Sequence, residues 1–395
     1  MPPLVMTTIN IVGGGLGGLV AAIECAESGA GEVRLLEAHA RFGGRARSTN
    51  GDFHANFGPH VIYADGALWR WLEDHDLCPP TSKAPAAPKV LFRHNGRTRR
   101  RPPAAFVRAL WRLRGTEAPA DIDFHTWAAG HVGDEAATLL ARAAGVFTFD
   151  HDPGRVAAAF IVERGRRVVT FPPTVRYAHG GWSTLVDVLE RAARDRGVVM
   201  ETNSPVDVLP PSPVIVATDL AAARRLLADD TLQWTGTRTA LLDVGLRARR
   251  GDPFIISDLD EAGWVERFSQ PDPSLAPTAH SLVQAQIGLR PDETLESGVA
   301  RVEALLDRGF ADWRGREVWR RRSVIENKSG ALDLPGTTWQ DRPAIDRGDG
   351  VFVVGDMVAA PGLLSEVSVV SAMQAAQQAV ILLQNARRAH AYGRN

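Results

Sequence analysis

Gly13, Gly15 and Gly18 stand in the order GxGxxG straight after the short β-branched run Thr7-Thr8-Ile9-Asn10-Ile11-Val12. Each glycine answers a different need of a loop that holds a pyrophosphate. Gly13 lets the chain turn tightly out of a buried strand, Gly15 lets the backbone approach phosphates with no Cβ in the way, and Gly18 permits close helix-to-strand packing. Leu19 to Glu27 then carries alanine-rich helical spacing, so the helix N-terminus would aim unpaired N–H groups at the phosphates. A second strand, Glu32 to Leu36, ends in Glu37, 19 residues past Gly18, where a carboxylate can accept from ribose hydroxyls. A glycine pattern alone describes many loops, and its plain alternative is an α/β unit whose glycines only make a turn. Strand, turn, helix, strand and acid in this order point instead to the ADP half of a dinucleotide.

Other chemistry is absent or sparse. The eleven histidines show no HxxxH or HxxEH spacing, so no protein metal site is expected. No GxSxG elbow is present, which argues against an α/β-hydrolase mechanism. A second acid, Asp356, closes the strand-like run Gly350-Val351-Phe352-Val353-Val354-Gly355. Met357 to Ser365 reads as loop, with Pro361 and Gly362 as breakers, before a long helix from about Glu366 to Arg388. Small residues early in that helix, from Ser368 to Ala376, allow a ligand or another backbone to come close.

These segments must be positioned by a chain of 395 residues, long enough for two domains. Hydrophobic residues make up 45% and charged residues 23%, and the net charge of −1 gives no global field for nucleic acid. Two cysteines, Cys25 and Cys78, suit a reducing compartment and exclude paired CxxC zinc hooks. No apolar run reaches the length of a membrane span, and Met1 to Met6 lacks the features of a secretory signal, so the expectation is a cytoplasmic protein. Three lysines against 42 arginines read as a bias of nucleotide composition.

Just beyond Glu37 lies Arg41-Phe42-Gly43-Gly44-Arg45, and here the sequence resembles the flavin-containing amine oxidase and phytoene desaturase superfamily. In that family a glycine pair and an arginine after the second-strand acid line the FAD pyrophosphate and flavin. The resemblance implies FAD rather than a nicotinamide dinucleotide, with Gly43, Gly44 and Arg45 among its contacts. Gly355 and Asp356 resemble the family's second FAD motif, where the acid reaches the ribityl or pyrophosphate region. By the same analogy the backbone of Val206 faces the adenine, and Gly58 lies close to the isoalloxazine ring. Leu16, Gly17, Ala38 and Leu364 adjoin these motifs and are counted with the cofactor contacts. His60 could touch flavin or substrate, although a lone histidine is more often simply hydrogen-bonded in a core. Gly180-Gly181-Trp182 matches a further family turn and reads as architectural.

The implied fold is α/β: a discontinuous Rossmann-like FAD-binding domain of residues 1–87, 175–236 and 340–395, under an α+β substrate domain of residues 88–174 and 237–339. Strands near Gly197 to Pro205 and Pro213 to Thr218 would complete the first. In the second, Asn95-Gly96 between Lys89–His94 and Arg97–Arg101 is a hairpin signal. Pro103 to Ala144 turns helical, with Trp111 and Trp127 as expected core anchors. Strands follow from Arg238 to Leu289, then a helix near Glu293 to Gly309 and a strand near Arg316 to Val324. The basic run Arg97 to Arg101 beside Phe106, Val107, Leu110, Trp111 and Leu113 offers a peripheral membrane contact; a solvated hairpin beside an ordinary amphipathic helix is the favoured reading.

The resemblance implies two-electron dehydrogenation of a hydrophobic small molecule, a specialised metabolite or carotenoid-like substrate, by hydride transfer to flavin N5. One alternative is an amine oxidase forming an imine and peroxide, and another is a redox-neutral flavin-dependent isomerase. Gly355-Asp356-Met357 followed by Ala360-Pro361-Gly362 looks closer to phytoene desaturase relatives. Lys328 is the one lysine late enough to match the flavin-side lysine of amine oxidases, and its surroundings match poorly. No cysteine follows Cys78, so the C-terminal cysteinyl link of monoamine oxidases cannot form and FAD is expected to be non-covalent.

Overall fold

The computed structural model describes residues 8–58 and 60–392. Met1–Thr7, Pro59 and residues 393–395 lie outside it, so Thr7 of the first expected strand and the segment Met1 to Met6 are not among the described residues.

Five parallel strands form the first sheet, in the spatial order Val351–Val353, Val214–Val216, Thr8–Val12, Glu32–Leu36, Val199–Glu201. The glycine-bearing strand takes the centre, where both faces are covered. That is why Ile9 and Ile11 are fully buried and the run, β-branched except for the buried Asn10, does not alternate with exposed polar residues. The helix Leu16–Glu27 buries every residue from Leu16 to Ile23. It packs lengthwise against the last helix, Ser365–Tyr392, whose Ala372, Ala375, Ala376 and Ala379 let the two axes approach. By length and composition this last helix would also cross a membrane, but half of the relevant stretch is buried in the core, as in a central helix of a folded domain.

The second sheet has seven strands, ordered Glu317–Glu326, Arg238–Arg247, His280–Gly288, Trp264–Glu266, Ile255–Asp258, Val90–His94, Arg97–Arg99. Pairing is antiparallel throughout except between Ile255–Asp258 and Val90–His94. The Asn-Gly turn does form the expected hairpin, with Asn95 and Gly96 both at positive φ, which these two residue types tolerate best. Helix Leu295–Leu306 covers one face and shares a core with Leu242, Val244, Val283 and Ile287. A three-stranded antiparallel sheet, Ile62–Tyr63, Val175–Ala178 and Thr81–Lys83, completes the strands.

A separate helical cluster, Ala104–Arg112, Phe124–Val132, Asp134–Ala143 and Ala158–Val168, has its own core. Trp127 anchors it, at 8% exposure. Trp111 does not: it is 79% exposed. The helical period explains the error, because Phe106, Ala109, Leu110 and Leu113 already make the inward stripe and Trp111 falls on the opposite side.

Candidate functional site

The glycine loop sits at the C-terminal edge of the first sheet, and each glycine meets a different surrounding. Gly13 has φ +102°, and a Cβ there would lie 2.6 Å from the carbonyl oxygen of Ala217 on the adjacent strand's exit. A Cβ on Gly18 would lie 1.9 Å from the Gly13 carbonyl oxygen, so this is the tight contact between helix and strand. Gly17 faces Val354, beside the C-terminal motif, and Leu16 is buried. Gly15 differs from all of these. Its Cβ would meet nothing within 4 Å, and it begins the helix with no side chain capping the N-terminal N–H groups. Gly43, at φ +104°, donates to the Gly14 carbonyl oxygen at 2.7 Å, and Gly44 follows at φ +52° over the Gly15 Cα. Open space, an uncapped helix N-terminus and glycine backbone on two sides fit a bound pyrophosphate.

Glu37 is buried, and its carboxylate accepts from the Gly14 N–H and the His39 N–H, both at 2.8 Å. The acid therefore also fixes the glycine turn to the second strand. Ala38 beside it is exposed. Asn203 and Ser204 donate their backbone N–H groups to the His39 and Glu37 carbonyls at 3.0 and 2.9 Å, which brings the segment leading to half-buried Val206 alongside.

The two distant motifs meet through Arg45 and Asp356. The guanidinium makes a two-pronged pair with the carboxylate, at 2.5 and 3.0 Å, and also donates to the Lys328 carbonyl. Burial raises the Asp356 pKa, but the Arg45 charge and hydrogen bonds outweigh it and hold the carboxyl below its ordinary value. The Lys328 ammonium pairs with Asp219 at 3.1 Å. Gly355 donates its N–H to the Ser371 hydroxyl at 3.2 Å, which ties the motif to the last helix. Leu364, at φ +53°, lies across from Gly330 in the turn before that helix. The loop carrying Gly330 is anchored by Asp333, whose carboxylate takes two bonds from buried Arg342 and whose neighbour Ala331 donates to the Asp356 carbonyl. Beside this loop is a pocket of about 390 Å³ lined by Gln233, Trp234, Thr235, Leu332, Leu334 and Thr337. A second pocket, of about 290 Å³, is lined by charged groups including Arg142, Asp260, Glu261 and Arg301 and includes none of the residues singled out above.

His60 stands against the same arginine. Its Nε2 is 3.1 Å from the Arg45 carbonyl oxygen, an acceptor, so Nε2 carries the hydrogen and Nδ1 keeps a lone pair. The ring packs on Trp182 at 4.7 Å between centroids and touches the space a Gly58 side chain would fill; Gly58 itself has φ +134°. Burial lowers the His60 pKa, the Arg45 carbonyl opposes it, and the Arg45 and Arg321 charges add to it, leaving the pKa pushed down to about 4. The imidazole is therefore neutral near pH 7.

One part of this neighbourhood was not anticipated from the sequence. Asp243, on a central strand of the large sheet, binds Arg321 at 2.6 Å and accepts from Gln284 at 2.9 Å. Gln284 and Arg321 both donate to the Asn56 carbonyl, so the large sheet grips the backbone just before Gly58 and His60. Burial raises the Asp243 pKa against the opposing pull of Arg321. The available signal was the run Arg320-Arg321-Arg322, but which arginine points inward depends on strand register; the structure alternates, with Arg321 inward.

The family model described as NAD(P)-binding Rossmann-like domain matches residues 11–74. No curated protein sequence matches this chain. Solved structures match across its length. An oxidoreductase from Methanosarcina mazei has a TM-score of 0.77 at 17% identity, covering 93% of this chain and 99% of its own. Cyclohexylamine oxidase from Brevibacterium oxydans reaches 0.72 at 14% identity, with 96% and 99% covered. Reduced UDP-galactopyranose mutase reaches 0.71 at 14% identity, with 98% and 99% covered. The chain shares the fold of these proteins. The α/β architecture implied by the resemblance is therefore the one observed, and the likeness runs through both sheets rather than the glycine-rich segment alone.

Two outcomes follow from the site geometry. Gly18→Ala should destabilise the protein by about 3 kcal/mol through its backbone clash, whereas Gly15→Ala should change unliganded stability by no more than about 1 kcal/mol. Chemical denaturation of both variants checks this, and equal losses would contradict the open space at Gly15. Because the folded-state His60 pKa lies below its unfolded value, His60 opposes folding as pH falls from about 6.5 toward about 4. The melting temperature of His60→Gln should fall less than that of the parent over this window, and parallel curves would place His60 in water.

Proposed function

We propose that the protein is an FAD-dependent oxidoreductase that dehydrogenates a hydrophobic small molecule. The observation that carries the reading is the open space before Gly15, framed by an uncapped helix N-terminus, Gly44 and the Arg45–Asp356 pair. In this reading residues 1–87, 175–236 and 340–395 hold FAD non-covalently, and residues 88–174 and 237–339 cover the substrate. FAD, when bound, supplies a two-electron acceptor.

The chain's own residues supply position and charge. The helix N-terminus at Gly15 favours the pyrophosphate charge, and Arg45 adds a cation whose orientation Asp356 fixes. Glu37 holds the glycine turn and retains lone-pair capacity for a ribose hydroxyl. His60 offers a neutral ring with Nδ1 as an acceptor rather than a charge. The charged groups around it are compensated: Asp243 by Arg321, and Asp356 by Arg45. Such walls suit an uncharged substrate, because no buried charge is left needing a counterion. That supports carbon-skeleton dehydrogenation over a site built to select a cation.

A second reading, amine oxidation to an imine with release of peroxide, draws on the fold shared with cyclohexylamine oxidase over 96% of the chain. Redox-neutral isomerisation draws similarly on the mutase.

The purified protein should show a flavin visible spectrum, and mass analysis of the released cofactor should give FAD. A colourless protein that cannot be reconstituted with FAD would sink the reading. Glu37→Gln leaves an oxygen for the Gly14 N–H yet should weaken FAD retention by about tenfold. Peroxide on an amine panel would favour the second reading, and a product of unchanged mass formed only after flavin reduction would favour isomerisation.

A further inference from the structure

Seven arginines and no acidic residue fall between Arg97 and Arg114, in a chain whose net charge is −1. All seven are exposed, and none forms an ion pair among the described residues. They include the hairpin strand Arg97–Arg99 at the edge of the large sheet and the helix Ala104–Arg112. On the outer side of that helix Val107 is 50% exposed and Trp111 79%, one turn apart, with Arg108 and Arg112 next to them. The inner side is satisfied by Ala109 and Leu113 in the helical core, so the indole is surplus to packing. Arg166 donates to the Thr116 carbonyl at 2.7 Å, which brings the end of helix Ala158–Val168 alongside. Just past that end Phe171 is 91% exposed and Val169 55%.

Apolar groups this exposed on a soluble fold mark a surface that something covers. The mixture identifies the chemistry. A tryptophan with flanking arginines is the composition that settles at a lipid–water boundary, the ring at headgroup level and the guanidinium stems lying along it. The unpaired positive charge complements anionic headgroups and nothing uncharged. A nucleic acid would also attract the arginines and could stack on Trp111 or Phe171, but the exposed aliphatic Val107 and Val169 beside those rings gain from a lipid surface and not from a base. We propose that the face formed by the Arg97–Arg114 segment and the Val169–Phe171 turn docks the protein on an anionic lipid surface. The inference does not depend on the flavin reading.

Co-sedimentation of the whole protein with vesicles of phosphatidylcholine and phosphatidylglycerol tests it, with pure phosphatidylcholine vesicles beside them. Binding is expected to the anionic vesicles alone and to weaken with added salt. The double variant Trp111→Ser/Phe171→Ser should bind roughly tenfold less well. Arg100→Glu and Arg112→Glu should each weaken binding by about fivefold or more. All four side chains are exposed, so circular dichroism and melting should match the parent. Failure to sediment with anionic vesicles overturns the proposal, as does binding untouched by the aromatic double variant. Retention on poly(U) RNA in preference to the vesicles also overturns it, and assigns the arginines to a nucleic acid.

Discussion

The pairing of Arg45 with Asp356 joins groups 311 residues apart in sequence, and much of the site's order depends on it. Asp356 depends on the pair, because its carboxylate is mostly buried and a buried charge without a partner is costly, whereas Arg45 keeps part of its side chain in water. The pair therefore obliges the glycine-pair loop and the C-terminal motif to meet over one edge of the sheet. From Arg45 the consequences spread along the backbone. Its carbonyl fixes the His60 ring and hence its tautomer, and its guanidinium holds the Lys328 carbonyl, which starts the loop running over Asp356.

The second constraint is steric. The Gly13 carbonyl and Gly18 backbone approach so closely that no side chain fits, while Gly15, two residues after Gly13, opens on free space. One short loop thus contains both an architectural contact and an approach for a ligand. Glu37 pins the turn through the Gly14 N–H, and in the proposed reading the same carboxylate also serves the ribose.

The two sheets meet chemically as well as spatially. Gln284 and Arg321, both held by Asp243, reach from the large sheet to donate to the Asn56 carbonyl, while the Asn56 side chain accepts from Ser48 and the Trp182 N–H. The segment bearing Gly58 and His60 is held from both sides. This network pairs its own acid with its own arginine.

Local features were legible in the sequence because their physics is local. A β-branched run, glycines at fixed spacing and an Asn-Gly turn impose their conformations on the few residues around them, and the strand, helix and hairpin follow. The sequence by itself determined the strand, glycine turn and helix, placed Glu37 after the second strand and Asp356 after the last, and through its resemblance led to the expectation that both chain ends share one unit. Tertiary structure decided what depends on register and face. Nothing local distinguishes Arg321 from Arg320 or Arg322; pairing with the central strand turns it inward to Asp243. Trp111 looked like a core anchor because it is large and apolar. Only the packing of the helical cluster showed that the inward stripe was already full and the indole faces outward. Burial is a property of the assembled surface, so a residue's type suggests it and only its neighbours settle it.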